Sequence, residues 1–113
     1  MAWSTPIQLE LIGAEAAWTA GNAGKARVCA RRAVALADEA WLVRQAHPPW
    51  SGDAMAHLRR IQQDLSFPPA VRQAAERLTT TVTRQQTAPF TTDPLADARV
   101  IIAFLTAGTE TSA

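Results

Sequence analysis

The chain has 113 residues, 48% of them hydrophobic and 19% charged, which gives one domain with a modest core and excludes wholesale disorder. Eleven basic residues against ten acidic ones leave +1, so no overall field draws the chain to nucleic acid or to an anionic membrane. A single cysteine, Cys29, excludes an intramolecular disulfide and a cysteine-based zinc site.

No run reaches the roughly 18 apolar residues of a membrane span. The opening MAWSTPIQLE has neither the basic nor the apolar region of a signal peptide, so the expectation is a cytoplasmic protein.

In chain order, Thr5-Pro6-Ile7-Gln8 has the form of a helix start. Thr5 is the expected cap, Pro6 takes the first helical position, and Gln8 completes a capping box. Ile7, Leu11, Ala14 and Trp18 recur on one face, and Gly21 ends the helix. The turn Gly21-Asn22-Ala23-Gly24 leads into a second helix over about Lys25 to Gln45. Its stripe is Ala26, Cys29, Ala30, Ala33, Leu36, Ala37, Ala40 and Val43, with Arg27, Arg31 and Asp38 expected opposite. So many alanines predict a close approach by a neighbouring helix. Pro48-Pro49 ends this helix.

Ser51 or Asp53 is positioned to cap a third helix with Ala54, Leu58, Ile61 and Leu65 inward, broken at Phe67-Pro68-Pro69. A fourth carries Val71, Ala74, Ala75, Leu78 and Val82, and weakens over the β-branched run 79–83. Residues 84–92 read as a loop. Asp93-Pro94 opens a fifth helix with Leu95, Ala98, Ile102 and Leu105 inward, ending near Gly108, and 109–113 read as a frayed tail. Period-2 alternation and internal repeats are absent. The pattern predicts a single all-α domain over 1–113, an antiparallel up-and-down helical bundle of about five helices.

The order of elements resembles the HEPN family (higher eukaryotes and prokaryotes nucleotide-binding) over about residues 7–106. The resemblance rests on the Gly21-to-Gly24 turn, the alanine-rich "ARVCARRAVALADEAWL", the helix start "GDAMAHLRRI" and the closing "DPLADARVIIAFL". It implies a small bundle that dimerises or pairs with a nucleotidyltransferase and binds a nucleotide or RNA. RNA-cleaving members of the family carry an arginine followed four to six residues later by a histidine. Here Arg44 and His47 are separated by two residues, Arg44 and His57 by twelve, and no histidine follows Arg59, Arg60 or Arg84. The resemblance therefore implies the non-catalytic roles. A divergent ribonuclease of a toxin–antitoxin pair, and a structural helical adaptor without a small ligand, are the alternatives.

The stretch Val43 to Arg60 gathers both histidines, Trp50 and three arginines. Arg44, His47 and His57 are the candidate ligand-binding residues: Arg44 for an anion at the helix end, the histidines beside it. No cofactor is expected. Two histidines without a third ligand, and without His-x-x-x-His or His-Glu-x-x-His spacing, do not define a metal site. The remaining basic residues, Arg27, Arg31, Arg32, Arg59, Arg60, Arg72 and Arg77, read as a solvated face with mixed ion pairs. Trp41 projects beside Arg27, Val34 and Asp38, away from the alanines, and needs cover from another helix or from a second chain. Trp41, Arg27 and Val34 are thus the candidate interface residues. Cys29 reads as a small core residue, Trp18 as a filler of space, and Trp3 and Trp50 as residues of loops or their edges.

Overall fold

Proline, glycine and short polar side chains set the helix ends. The computed structural model describes residues 3–48, 50–80 and 93–110, and these form an all-α bundle of five helices. They are α1 (Thr5–Thr19), α2 (Ala23–Arg44), α3 (Ala54–Gln63), α4 (Pro69–Thr79) and α5 (Pro94–Glu110). Val82, the loop 84–92 and residues 111–113 of the expected tail lie outside the described residues. The fifth helix runs past Gly108.

At the first cap the outcome differs from the expectation. Ser4 precedes α1 and makes no side-chain cap, Thr5 is already helical, and the Gln8 amide donates to the Trp3 carbonyl rather than closing a capping box. Asn22 caps α2 by accepting from the Lys25 N–H at 3.1 Å. Asp53, not Ser51, caps α3 at 2.9 Å, and Asp93 accepts from Ala96 N–H at 3.1 Å at the start of α5. Pro68-Pro69 does more than break α3, because Pro69 is the first residue of α4.

Two C-termini share one geometry. After α1, Gly21 adopts φ 80°, its N–H donates to the Trp18 carbonyl at 3.0 Å, and Asn22 N–H reaches the Ala17 carbonyl at 2.8 Å. After α2, Ala46 takes the corresponding place at φ 55°, with Ala46 N–H on the Val43 carbonyl and His47 N–H on that of Leu42. Both are Schellman motifs, but the second holds an alanine where glycine is unstrained.

The core sits around α2, which packs against α1, α5 and α3, while α4 packs against α3 and α5. Because α2 is covered on more than one side, it buries two stripes. The alanine stripe is as expected for Ala26, Cys29, Ala30, Ala33 and Ala37. The second stripe, Val34 and Asp38, was expected to face outward, yet both residues are 0% exposed because α3 lies against them. At the helix ends the phase argument fails. Val43 is exposed on the last turn of α2, Leu65 lies beyond the end of α3, and Trp18 is exposed beside the Gly21 turn. Phe67, expected only as part of a helix break, is buried between α3 and α4.

Arginines close several helix ends from neighbouring helices. Arg31 Nε–H donates to the Leu78 carbonyl at 2.7 Å and Arg72 Nε–H to the Gln62 carbonyl at 3.0 Å, each at a C-terminus with orphan acceptors. Burial, reinforced by Arg27, holds the Arg31 guanidinium below the usual arginine range. Arg77 forks onto Asp97, with Nη2 at 2.7 Å and Nε at 3.2 Å, tying the end of α4 to the first turn of α5. The hydrogen bond to Asp97 raises Arg77 above its ordinary value against a smaller opposing effect of burial, helped by the charges of Asp97 and Glu76.

Candidate functional site

Val34, Asp38 and Trp41 recur at i, i+4 and i+7 on α2, and His57 and Arg60 at i and i+3 on α3, so the two helices bring these side chains face to face. His57 Nδ1–H donates to Asp38 Oδ2 at 2.7 Å, and Arg60 Nη2–H donates to Asp38 Oδ1. A carboxylate only accepts, so this geometry fixes the Nδ1-protonated ring nitrogen on Asp38. The second ring nitrogen, Nε2, lies 3.6 Å from the exposed Glu39 carboxylate. Arg60 also approaches Asp64 at 3.6 Å.

Aromatic rings close the cluster. The Arg60 guanidinium sits 5.4 Å from the Trp41 ring centroid and 5.9 Å from that of Phe67. Trp41 meets Phe67 edge-on at 5.1 Å, and Phe67 meets Phe104 at 5.3 Å. Arg60 Nε is buried without a hydrogen-bond partner, and these π faces are its surroundings. On the other side the Trp50 ring meets that of His57 edge-on, with centroids 4.5 Å apart. Gly52 makes that closure feasible: a Cβ there would stand 2.8 Å from the Trp50 ring and 2.9 Å from the Ala56 methyl.

The residues expected to bind a ligand do not converge. His57 is wholly inside the ion network. Arg44 is exposed and its Nη2–H donates to the Leu105 carbonyl on α5, the role of an arginine that snorkels past a helix end. His47 is exposed and its Nδ1–H donates to the Pro48 carbonyl at 2.8 Å. It lines a shallow groove of about 230 Å³ with Glu39, Leu42, Val43, Pro48 and Trp50. The one acidic residue in that lining, Glu39, disfavours a phosphate there. Among the described residues no three His, Cys, Asp or Glu side chains come together as a metal site.

The expected interface residues separate as well. Trp41 is half-buried against Phe67 and Arg60 of its own chain, Val34 is core, and Arg27 remains partly exposed on α2. Arg31 and Asp38, both expected on the face opposite the alanines, take separate partners: Arg31 goes to Leu78, and Asp38 to His57 and Arg60. Sequence reasoning missed Asp38 and Arg60 as partners. The available signal was an acid placed between Val34 and Trp41, since a second apolar stripe containing a carboxylate requires a cation from the helix that covers it.

Uncovered apolar side chains also line α1 and α5. Both helices are apolar around most of their circumference, which leaves an outward stripe on each. On α1 the exposed residues Thr5, Leu9, Ile12, Ala16 and Thr19 follow a 4-3-4-3 spacing, with Leu9 62% and Ile12 63% exposed. On α5 the exposed Ala96, Val100, Ala103 and Ala107 follow the same rule, flanked by Phe104. Between the helices runs a groove of about 220 Å³ lined by Trp3, Gln8, Leu11, Ile12, Glu15 and Arg99. Compared with models of protein families, with curated proteins and with solved structures, the chain matches none.

Proposed function

We propose that the chain is a non-catalytic association module, a small helical bundle of the HEPN-like kind, that works by docking the outer face of α1 and α5 onto another protein surface. The observation that carries this reading is the pair of solvent-facing apolar stripes with heptad-type spacing, the pattern by which one helix recognises another. The chemistry of the corner supports the non-catalytic part. His57 is 1% exposed with its Nδ1 on Asp38, and Arg44 gives an N–H to a backbone carbonyl, so the histidine is not presented to a substrate and the arginine already serves a helix contact.

A photo-crosslinking amino acid placed at Ile12 in the producing cell tests the reading, with the same probe at exposed Arg59 as control. Covalent adducts at Ile12 that are absent at Arg59 are expected. Irradiation that yields no adduct at Ile12 contradicts the proposal.

A further inference from the structure

We propose that the first half of α2 and the start of α3 form a separate docking surface that takes an acidic segment of another protein. Its carboxylates would lie on Arg27, Arg31 and Arg32, and one of its apolar side chains in the groove beside them. The inference goes beyond the association reading and does not rest on it, since α1 and α5 contribute nothing to this surface.

The starting observation is a set of arginines without acids. Elsewhere in the bundle arginines find carboxylates: Arg60 meets Asp38 and Asp64, Arg77 meets Asp97, and Arg99 meets Glu15. Among the described residues Arg27, Arg31 and Arg32 form no ion pair, contrary to the mixed pairs expected for this face. Arg31 gives its Nε–H to the Leu78 carbonyl at 2.7 Å, and its terminal nitrogens make no hydrogen bond within the chain. Burial and the like charge of Arg27 both lower its pKa, and no carboxylate opposes them. The stretch 81–92 that follows α4 contains Arg84 and neither Asp nor Glu, so it supplies no counter-charge. Positive charge is thus concentrated here on a chain whose net charge is only +1.

Spacing indicates the form of the missing anion. Arg27 and Arg31 are one turn apart, about 6 Å along the axis, and Arg32 is turned about 100° from Arg31. Guanidiniums set out this way do not converge on one compact anion. They match single charges strung along a chain, because alternate residues of an extended segment, or residues four apart on a helix, recur every 6–7 Å or so. Each guanidinium presents a planar fork that suits a carboxylate.

The groove selects between a peptide and a nucleic acid. It has a volume of about 320 Å³ and is lined by Val28, Arg31, Arg32, Asp53, Ala54 and Met55. Val28 is exposed and Met55 half-buried, so the groove offers apolar surface, part of it from an adaptable side chain. The exposed Asp53 carboxylate, which caps α3, stands in the same lining. An RNA strand carries a charge at every nucleotide and brings one against Asp53. A peptide places an apolar residue there and keeps its acids on the arginines.

Panning a random peptide library of roughly twelve residues on the folded chain tests the proposal. Recovered peptides should hold several Asp or Glu around a Leu, Ile, Phe or Met, and binding should weaken as salt rises. By fluorescence polarisation with a selected peptide, the double variant Arg27→Gln, Arg32→Gln should bind about tenfold more weakly, and Val28→Glu likewise. Circular dichroism should be unchanged in both, because these positions lie at the surface and Arg31, which closes α4, is left in place. The selected peptide with Asn and Gln in place of its acids should not bind. Recovery of no peptide, peptides without acidic enrichment, or equal binding by both variants overturns the proposal. So does tighter binding of a single-stranded RNA of the same length that the arginine substitutions abolish. None of these outcomes involves crosslinking at Ile12, so either reading can fail alone.

Discussion

Asp38 has no exposed surface, and a carboxylate taken out of water costs several kcal/mol unless hydrogen bonds and opposite charge offset it. Here His57 and Arg60 supply that compensation, and they hold α3 on α2 in one register. Replacing Arg60 by Met keeps most of the volume but removes a buried partner, and should lower the unfolding free energy by about 3–5 kcal/mol. Replacing the whole cluster, with Asp38→Leu, His57→Leu and Arg60→Met together, should cost less than Arg60→Met alone, since no buried charge is then left unpaired. Urea unfolding of both variants checks the order, and a larger loss in the triple variant would contradict it. Asp64 provides a pH-dependent counterpart. The Ser66 hydroxyl, at 2.6 Å, is the main cause that holds its carboxyl below the usual range. Partial burial opposes this, while the Ser66 N–H and the charges of Arg60 and Arg72 add to it. A depressed carboxyl stabilises the fold above its unfolded value and loses that contribution as pH falls through the folded one. Ser66→Ala should therefore move the Asp64 titration upward by NMR, and should destabilise the protein at neutral pH but not once the carboxyl is protonated.

At the scale of elements, the two helix C-termini make opposite predictions from one geometry. A methyl group added at Gly21 would meet no atom within 4 Å, so Gly21→Ala would suffer only the left-handed backbone, a loss of about 1 kcal/mol. Ala46 already bears that strain, and Ala46→Gly should stabilise by a similar amount of about 1 kcal/mol, read from thermal unfolding. These elements were largely legible in the sequence. Gly21, Asp53 and Pro94 act locally, through backbone angles and hydrogen bonds to residues three or four along, so chain order alone reveals them, while the Asn22 cap and Pro69 as a helix start were seen only in the structure. What could not be read was which helix faces another. The phase of α2 correctly set Val34, Asp38 and Trp41 apart from the alanines, but phase is blind to whether that side meets water or α3. The corner after α2 decides it, by carrying the chain back along α2 so that Trp50 lines one groove with Glu39 and Leu42, and Asp53 another with Val28 and Arg31. The candidate site was misread for the same reason: Arg44, His47 and His57 are close in sequence, yet the corner sends them to three different surroundings.

At the scale of the whole molecule, α2 is covered by three other helices, while α1 and α5 carry more apolar surface than one copy buries. Inward-facing periodicity does not reveal this surplus, because Leu9, Ile12 and Val100 are additions to a complete inward set. The proposed docking would give these residues a task between chains rather than within one. A seam that exists only in the bound, folded state stabilises that state by mass action, so docking and folding of this face are linked. The most direct measurement is photo-crosslinking in the producing cell at Ile12 on α1 and Val100 on α5, with exposed Arg59 as control. Adducts at Ile12 and Val100 that are absent at Arg59 are predicted; no adduct at either position would contradict a seam on α1 and α5.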